Sequence, residues 1–438
     1  MSLNDLRTKQ IQLAVDEIPS QYYNIVADLA EPLPPPKDPD EGPSRLATLG
    51  KIFSQECLRQ EMAAERYIKI PDEILELLVR SGRPRPLFRA SGLERALGTP
   101  AKMYYKSEFY SPTGSHKVNT AIAQAYYAKK EGFTTMTTET GAGQWGTALA
   151  YACSLVGLKC VVFWVRAAYN WKPERLALMK LLGAEVHASP SPQTESGRNH
   201  YNEDPNHPGS LAIAISEGIE TAINDDKAVY SLGSVLNHVL LHQTVIGLET
   251  KKQMEKVGDY PDIVISCVGG GSNFGGIALP FIGDALRNEA PKKASFIAAQ
   301  SMSAPNLDGE YRYDFGDYAG MTPLLKMYTL GSKKMLQPIK GDGLRYHGSA
   351  PIIAYLRHKG YIESVAYPVD EKKVFEAASV FVSSEGFLPA AESAYSVRAA
   401  IDEALKCKKT NEKKVILFNI SGHGFLDLAG YRDVLKMN

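Results

Sequence analysis

The sequence predicts an α/β protein with mostly parallel sheets, because strand–turn–helix patterns follow one another along the chain. Three of them carry the prediction: TTMTTETGAG then QWGTALAYACSLVG, KCVVFWV then KPERLALMKLLG, and DIVISCVGGG then SNFGGIALPFIGDALRN. Each couples an apolar, β-rich run to a turn and then to a helical pattern. In open sheets of this kind ligands lie beyond the carboxyl ends of the strands. All three turns fall there, and two are rich in glycine.

The 438 residues admit two or three domains and a core that needs no disulfide or metal staple. Lys plus Arg equals Asp plus Glu at 49 each. The charge therefore gives no general preference for nucleic acid or an anionic membrane, and a small molecule is the expected ligand class. Cys57, Cys153, Cys160, Cys267 and Cys407 are widely spaced and form no metal-binding pattern, so they read as reduced core thiols of a cytoplasmic protein. The N-terminus MSLNDLRTKQIQLAVDEI is charged and amphipathic, reading as a helix without a signal core, and no stretch is apolar for long enough to span a bilayer. EPLPPPKDPDEGPS (31–44) reads as an extended, polyproline-like arm joining that helix to the body. There is no internal repeat.

GGGSN (Gly269, Gly270, Gly271, Ser272, Asn273) lies between a buried-strand pattern and a helix. Its backbone N–H groups would converge on one spot beside the positive end of the helix dipole, which makes a phosphate cradle; the alternative is a tight turn with no ligand. A dinucleotide fingerprint would need glycine where Phe274 stands, and an ATP-binding loop counted from Gly271 meets Ile277 after Gly276. ETGAGQWG (139–146) opens a second helix with Gly/Ala amides suited to a carboxylate. Glu139, at the strand end beside that anion site, is either an acid/base with a raised pKa or a capping residue. Lys117 follows the turn SPTGS and starts HKVNTAIAQAYYAKK, whose apolar face runs through Val118, Ala121, Ile122 and Ala125. Alone it reads as a surface lysine; partly buried at a helix N-terminus it reads as an amine of lowered pKa, fit to form a Schiff base. Phosphate site, carboxylate site and activated lysine together are what pyridoxal phosphate requires.

HKVN, ETGAGQWG, GGGSN, EGFLPAAES and NISGHG stand in the order and spacing of the tryptophan synthase beta chain, among the fold type II pyridoxal phosphate enzymes. YYNIVADLAEPLPPP, RPLFRA and NHVLLHQTVIG resemble its divergent second class. The resemblance implies two three-layer α/β domains with the cofactor between them. An arm (1–45) precedes one domain of 46–82 and 116–243, with a mobile part at about 132–225, and a second of 83–115 and 244–438. It implies Lys117 as the Schiff-base lysine, His116 and Gly269 to Asn273 at the phosphate, and Asn119 and Gln144 near the ring and its 3′ oxygen. Ser234 would be a further cofactor contact, Ser421 would face the pyridine nitrogen, and Glu392 would stand beside cofactor and indole. Thr140, Gly141, Ala142 and Gly143 would hold the substrate carboxylate, and Glu139 would assist β-substituent loss and steer indole. The implied reaction joins indole to the aminoacrylate of L-serine or O-phospho-L-serine, giving L-tryptophan. The alternatives are a serine/threonine dehydratase or other β-eliminating relative, and a non-catalytic amino-acid-binding protein. A homodimer is implied, and an alpha chain as partner is open.

Three positions depart from the family pattern. Arg345 in GDGLRYHGSAP replaces the aspartate expected to meet the serine hydroxyl, which suggests phosphoserine as donor with His347 assisting; the alternative is an Arg345 turned away onto a carboxylate. Trp145 and His423 replace a histidine and an arginine in the site lining. Main-chain carbonyls near Val268 and Tyr346 are candidates for a monovalent cation.

Overall fold

The structure is a computed structural model that describes residues 8–437. Its strands form two main sheets. The larger has seven, in the order Gln10–Ile11, Leu87–Arg89, Lys102–Ser107, Val415–Ile420, Ile263–Cys267, Ser295–Ser301, Glu363–Tyr367. The first three pair antiparallel and the rest parallel. The smaller is fully parallel: Glu185–Ser189, Lys159–Val165, Thr135–Thr140, Ala228–Ser231. Val264, Ile265, Leu417 and Phe418 are fully buried, as expected of parallel strands covered by helices on both faces.

The three strand–turn–helix units form as the sequence predicts, with helices Gln144–Val156, Pro173–Leu181 and Ser272–Leu286 after their strands. The five cysteines are all buried and free. Among the described residues no helix is long and apolar enough to cross a membrane.

The predicted N-terminal helix does not form in residues 8–30; residues 1–7 lie outside the described part. Ile11 and Leu13 are buried while Gln10 and Gln12 are exposed, a period of two rather than 3.6. That alternation makes Gln10–Ile11 an edge strand beside Leu87–Arg89, followed by one turn of 3₁₀ helix at Val15–Glu17. The Pro-rich arm is extended and anchored where the backbones of Lys37 and Leu324 bond in both directions.

Candidate active site

Strand ends from both sheets meet at a cavity whose lining includes Lys117, Glu139, Gly270 and Ser421. Lys117 precedes the helix Val118–Lys130, which is buried almost all round rather than along one apolar stripe. Its Nζ donates to the carbonyl of Gly233 at 2.9 Å. Burial lowers its pKa to about 8, against the opposing charges of Glu139 and Glu392. A useful fraction is therefore free amine near neutral pH.

The phosphate loop faces Lys117. A Cβ on Gly270 would stand 2.7 Å from Ser234 Oγ, so the backbone approaches as only glycine permits. Ser272 N donates to Ser234 Oγ at 3.1 Å, and Ser272 Oγ lies 3.2 Å from His116 Nε2. His116 Nδ1 is buried without a partner, and burial beside Lys117 lowers the ring's pKa to about 3, keeping it neutral. The Asn273 side chain turns inward: its Nδ2 donates to Ser266 Oγ, and its Oδ1 accepts from Asn419. Ser421 Oγ lies 2.7 Å from Ser393 Oγ and 3.9 Å from Cys267 Sγ.

Glu139 is the penultimate residue of the strand Thr135–Thr140, and burial raises its pKa to about 7 even though the Tyr230 hydroxyl donates to its Oε2 and Lys117 lies nearby. Gly143, at φ +87°, takes the left-handed conformation from which the helix Gln144–Val156 starts. Glu392 spans two elements: Oε2 accepts from Gln144 Nε2 at 2.7 Å and Oε1 from Gly343 N at 2.9 Å. Trp145 lines the cavity and donates its Nε1 hydrogen to Thr138 Oγ1 at 2.6 Å, while His423 N donates to Gly114 O, packing His423 on the turn before Lys117.

The cavity thus gathers His116, Lys117, Glu139, Thr140, Gly141, Ala142, Gln144, Ser234, Gly269 to Asn273, Glu392 and Ser421. Four expected residues lie outside its lining. Gly143 acts one step behind, through the helix start. Asn119 is drawn into a fully buried charge network, accepting from Arg83 Nε at 2.9 Å and donating to Gln243 Oε1 at 2.9 Å. Arg345 pairs with Asp342 at 3.3 Å, donates to Leu336 O at 3.2 Å and lines a small neighbouring cavity. His347 bonds the carbonyl of Phe315 at 2.9 Å and lines that same neighbouring cavity. Beside Val268, the carbonyls of Gly269 and Tyr346 accept hydrogen bonds from Asn306 Nδ2. Gly233, Leu211 and Ile215 also line the cavity, and Tyr230 bonds Glu139, although none stands in a sequence motif of the site. A Gly between Leu232 and Ser234 and a tyrosine in a buried strand carry no local signal of a site.

The donor set fits pyridoxal phosphate: an amine of lowered pKa, amides of a glycine loop beside a partnerless ring nitrogen of His116, and the Ser421 hydroxyl. Residues 79–422 match the family described as pyridoxal-phosphate dependent enzyme. The chain is 56% identical over 428 residues to the tryptophan synthase beta chain 2 of Methanothermobacter thermautotrophicus, covering 98% of this chain and 99% of that one. It is 54% identical to the protein of that name from Aquifex aeolicus, covering 97% and 98%. Among solved structures it resembles in fold a fungal L-serine ammonia-lyase from Rhizomucor miehei (TM-score 0.59, 14% identity, 81% and 98% covered). A second fold neighbour is the serine racemase of Dictyostelium discoideum (TM-score 0.56, 17% identity, 85% and 98% covered). With its glycine loops, its lysine and near full-length relatives in agreement, the chain belongs to the tryptophan synthase beta chain family of pyridoxal phosphate-dependent enzymes.

Proposed function

We propose that the chain replaces the β-substituent of an L-serine-type donor with indole to give L-tryptophan. The observation that carries this reading is Glu139, a carboxyl with a pKa of about 7 in the cavity that Lys117 enters. When bound, pyridoxal phosphate supplies an electron sink for the carbanion at the amino acid's Cα. Lys117 Nζ, released as a free amine, removes the α-proton and later returns it. The amides of Thr140, Gly141 and Ala142 hold the donor carboxylate at the start of a helix. Glu139 gives a proton to the departing β-oxygen and, as carboxylate, then accepts one from indole.

Indole needs an apolar approach. An apolar cavity lined by Pro35, Pro36, Phe53 and Leu236 shares Ile215, Leu232, Val235 and Tyr346 with the cofactor cavity. We read it as the entry for free indole, with the N-terminal arm forming part of its wall, so that turnover needs no alpha chain. A cytoplasmic homodimer, the two-domain division given above and closure of about 132–225 on the amino acid belong to the same proposal.

L-serine and O-phospho-L-serine are both candidate donors. Phosphoserine requires Arg345 to leave Asp342 and reach a cavity whose lining already includes its neighbours Leu344 and Tyr346. Comparing kcat/KM for the two donors decides it: a preference for phosphoserine that disappears in Arg345→Ala supports that donor, and a preference for serine unchanged in Arg345→Ala removes it. Tryptophan formation from indole tests the activity itself.

A further inference from the structure

Three main-chain carbonyls from two loops converge on a single buried nitrogen. Asn306 Nδ2 lies 2.9 Å from Gly269 O, 3.1 Å from Tyr346 O and 2.9 Å from Gly348 O. Asn306 is fully buried. Gly269 opens the phosphate loop, while Tyr346 and Gly348 belong to the loop that carries Leu344 into the cavity. A ring of carbonyls around one point is how proteins replace the hydration shell of a monovalent cation. Here each separation is an ordinary hydrogen-bond length, so no ion fits between the nitrogen and the oxygens.

The orientation of the amide is fixed by its neighbours. Exchanging nitrogen and oxygen would set Oδ1 against three carbonyl oxygens. Oδ1 itself is buried without a hydrogen-bond partner, so the side chain is placed by what Nδ2 bonds. The backbone delivers it rigidly: Asn306 N donates to Ala304 O at 2.8 Å, Gly309 N donates to Asn306 O at 2.9 Å, and Leu307 N donates to Gln300 Oε1 at 3.1 Å. The two clamped loops are themselves in contact, because a Cβ on Gly269 would stand 2.5 Å from Gly343 O.

We propose that Asn306 is a positioning residue whose side-chain amide takes the place of a monovalent cation, tying the phosphate loop to the Tyr346 loop and making the enzyme independent of such ions. The inference rests on the proposed function only for its activity readout; its thermal readout stands without turnover. An amide supplies two N–H groups to three acceptors, one hydrogen being shared, and needs no ion from solution. Replacing it by alanine opens a carbonyl-lined vacancy, and replacing it by aspartate sets a carboxylate against the carbonyls. In the alanine variant a cation would replace the donor the carbonyls have lost, and in the aspartate variant it would balance the carboxylate.

The test compares holoenzyme in tetramethylammonium, sodium, potassium and ammonium chlorides at equal ionic strength, reading kcat/KM, the visible cofactor band and the thermal midpoint. The wild-type protein is expected to give the same three values in every salt. Asn306→Ala is expected to lose about tenfold in kcat/KM in tetramethylammonium, as buried carbonyls lose their donor, and to recover saturably with potassium or ammonium as its midpoint rises. Asn306→Asp, nearly isosteric, is expected to gain the same cation response. Activation of the wild-type enzyme by potassium or ammonium would overturn the proposal. So would an Asn306→Asp protein whose activity and midpoint ignore the cation.

Discussion

The Tyr230 hydroxyl donates to Glu139, and removing it gives a change whose sign and size both follow from the structure. The hydrogen bond favours the carboxylate form, so it holds down a pKa that burial raises to about 7. Tyr230→Phe keeps the ring and deletes the donor. A hydrogen bond to a charged group contributes about 1.5–3 kcal/mol, and 1.36 kcal/mol corresponds to one pKa unit. The variant's Glu139 midpoint therefore moves up by about 1 to 2 pH units, and the proton-accepting form becomes scarce at pH values where the wild-type enzyme has it. The assay is kcat/KM for tryptophan formation from pH 5.5 to pH 10, followed by absorbance, with the cofactor band checked at each pH. The limb assigned to Glu139 should shift upward in Tyr230→Phe and vanish in Glu139→Gln. A limb that stays in place, or moves down, would refute the assignment of that proton to Glu139.

Three further outcomes are expected. In Gly270→Ala, crowding against Ser234 Oγ at a cost of about 1–3 kcal/mol weakens cofactor affinity about tenfold, measured by equilibrium dialysis with the fold checked by circular dichroism. Glu108→Gln leaves the buried Arg85 without its carboxylate partner, while Arg83 keeps Glu249 at 2.8 Å, so urea unfolding registers a loss of about 3–5 kcal/mol. Burial opposes its charge, but Arg83 and Arg85 hold the Glu108 carboxyl down to about 2; the stability it adds is fully present above the unfolded carboxylate pKa and is lost as pH falls from there through about 2. Apoenzyme is expected to capture the cofactor at a rate rising through pH 8, because burial lowers the Lys117 amine to about that value from its usual range near 10.5; a rise centred near the usual value would contradict the buried environment.

The parts legible in the sequence were those with local signatures. Strand, glycine turn and helix occur within a few residues of each other, so ETGAGQWG and GGGSN could be placed at strand ends before any contact was known. Lys117 became convincing only beside those two loops. What stayed hidden arises where the topology joins distant segments. Tyr230 meets Glu139 from the neighbouring strand, 91 residues away. Asn119 looked like a neighbour of the reactive lysine, yet Arg83, Glu108 and Gln243 hold its side chain elsewhere. Arg83, Arg85, Lys106, Glu108 and Glu249 are all fully buried, although charged residues in a sequence read as solvated. Arg345 could be read as a charge but not as a direction, and its direction is set by Asp342, three residues before it. At the N-terminus the charged pattern suggested a helix, while the edge of the larger sheet selected the alternation of Ile11 and Leu13.

The central claim is that Lys117 and Glu139 together form tryptophan in one cavity. It is tested most directly by supplying purified holoenzyme, without an alpha chain, with indole and either L-serine or O-phospho-L-serine and measuring tryptophan by chromatography. The expected result is tryptophan from at least one donor, abolished in Lys117→Ala together with the borohydride-sensitive visible band, and strongly reduced in Glu139→Gln with that band intact. Conversion of the donor to pyruvate with no tryptophan, or full tryptophan synthesis by Glu139→Gln, would contradict the account.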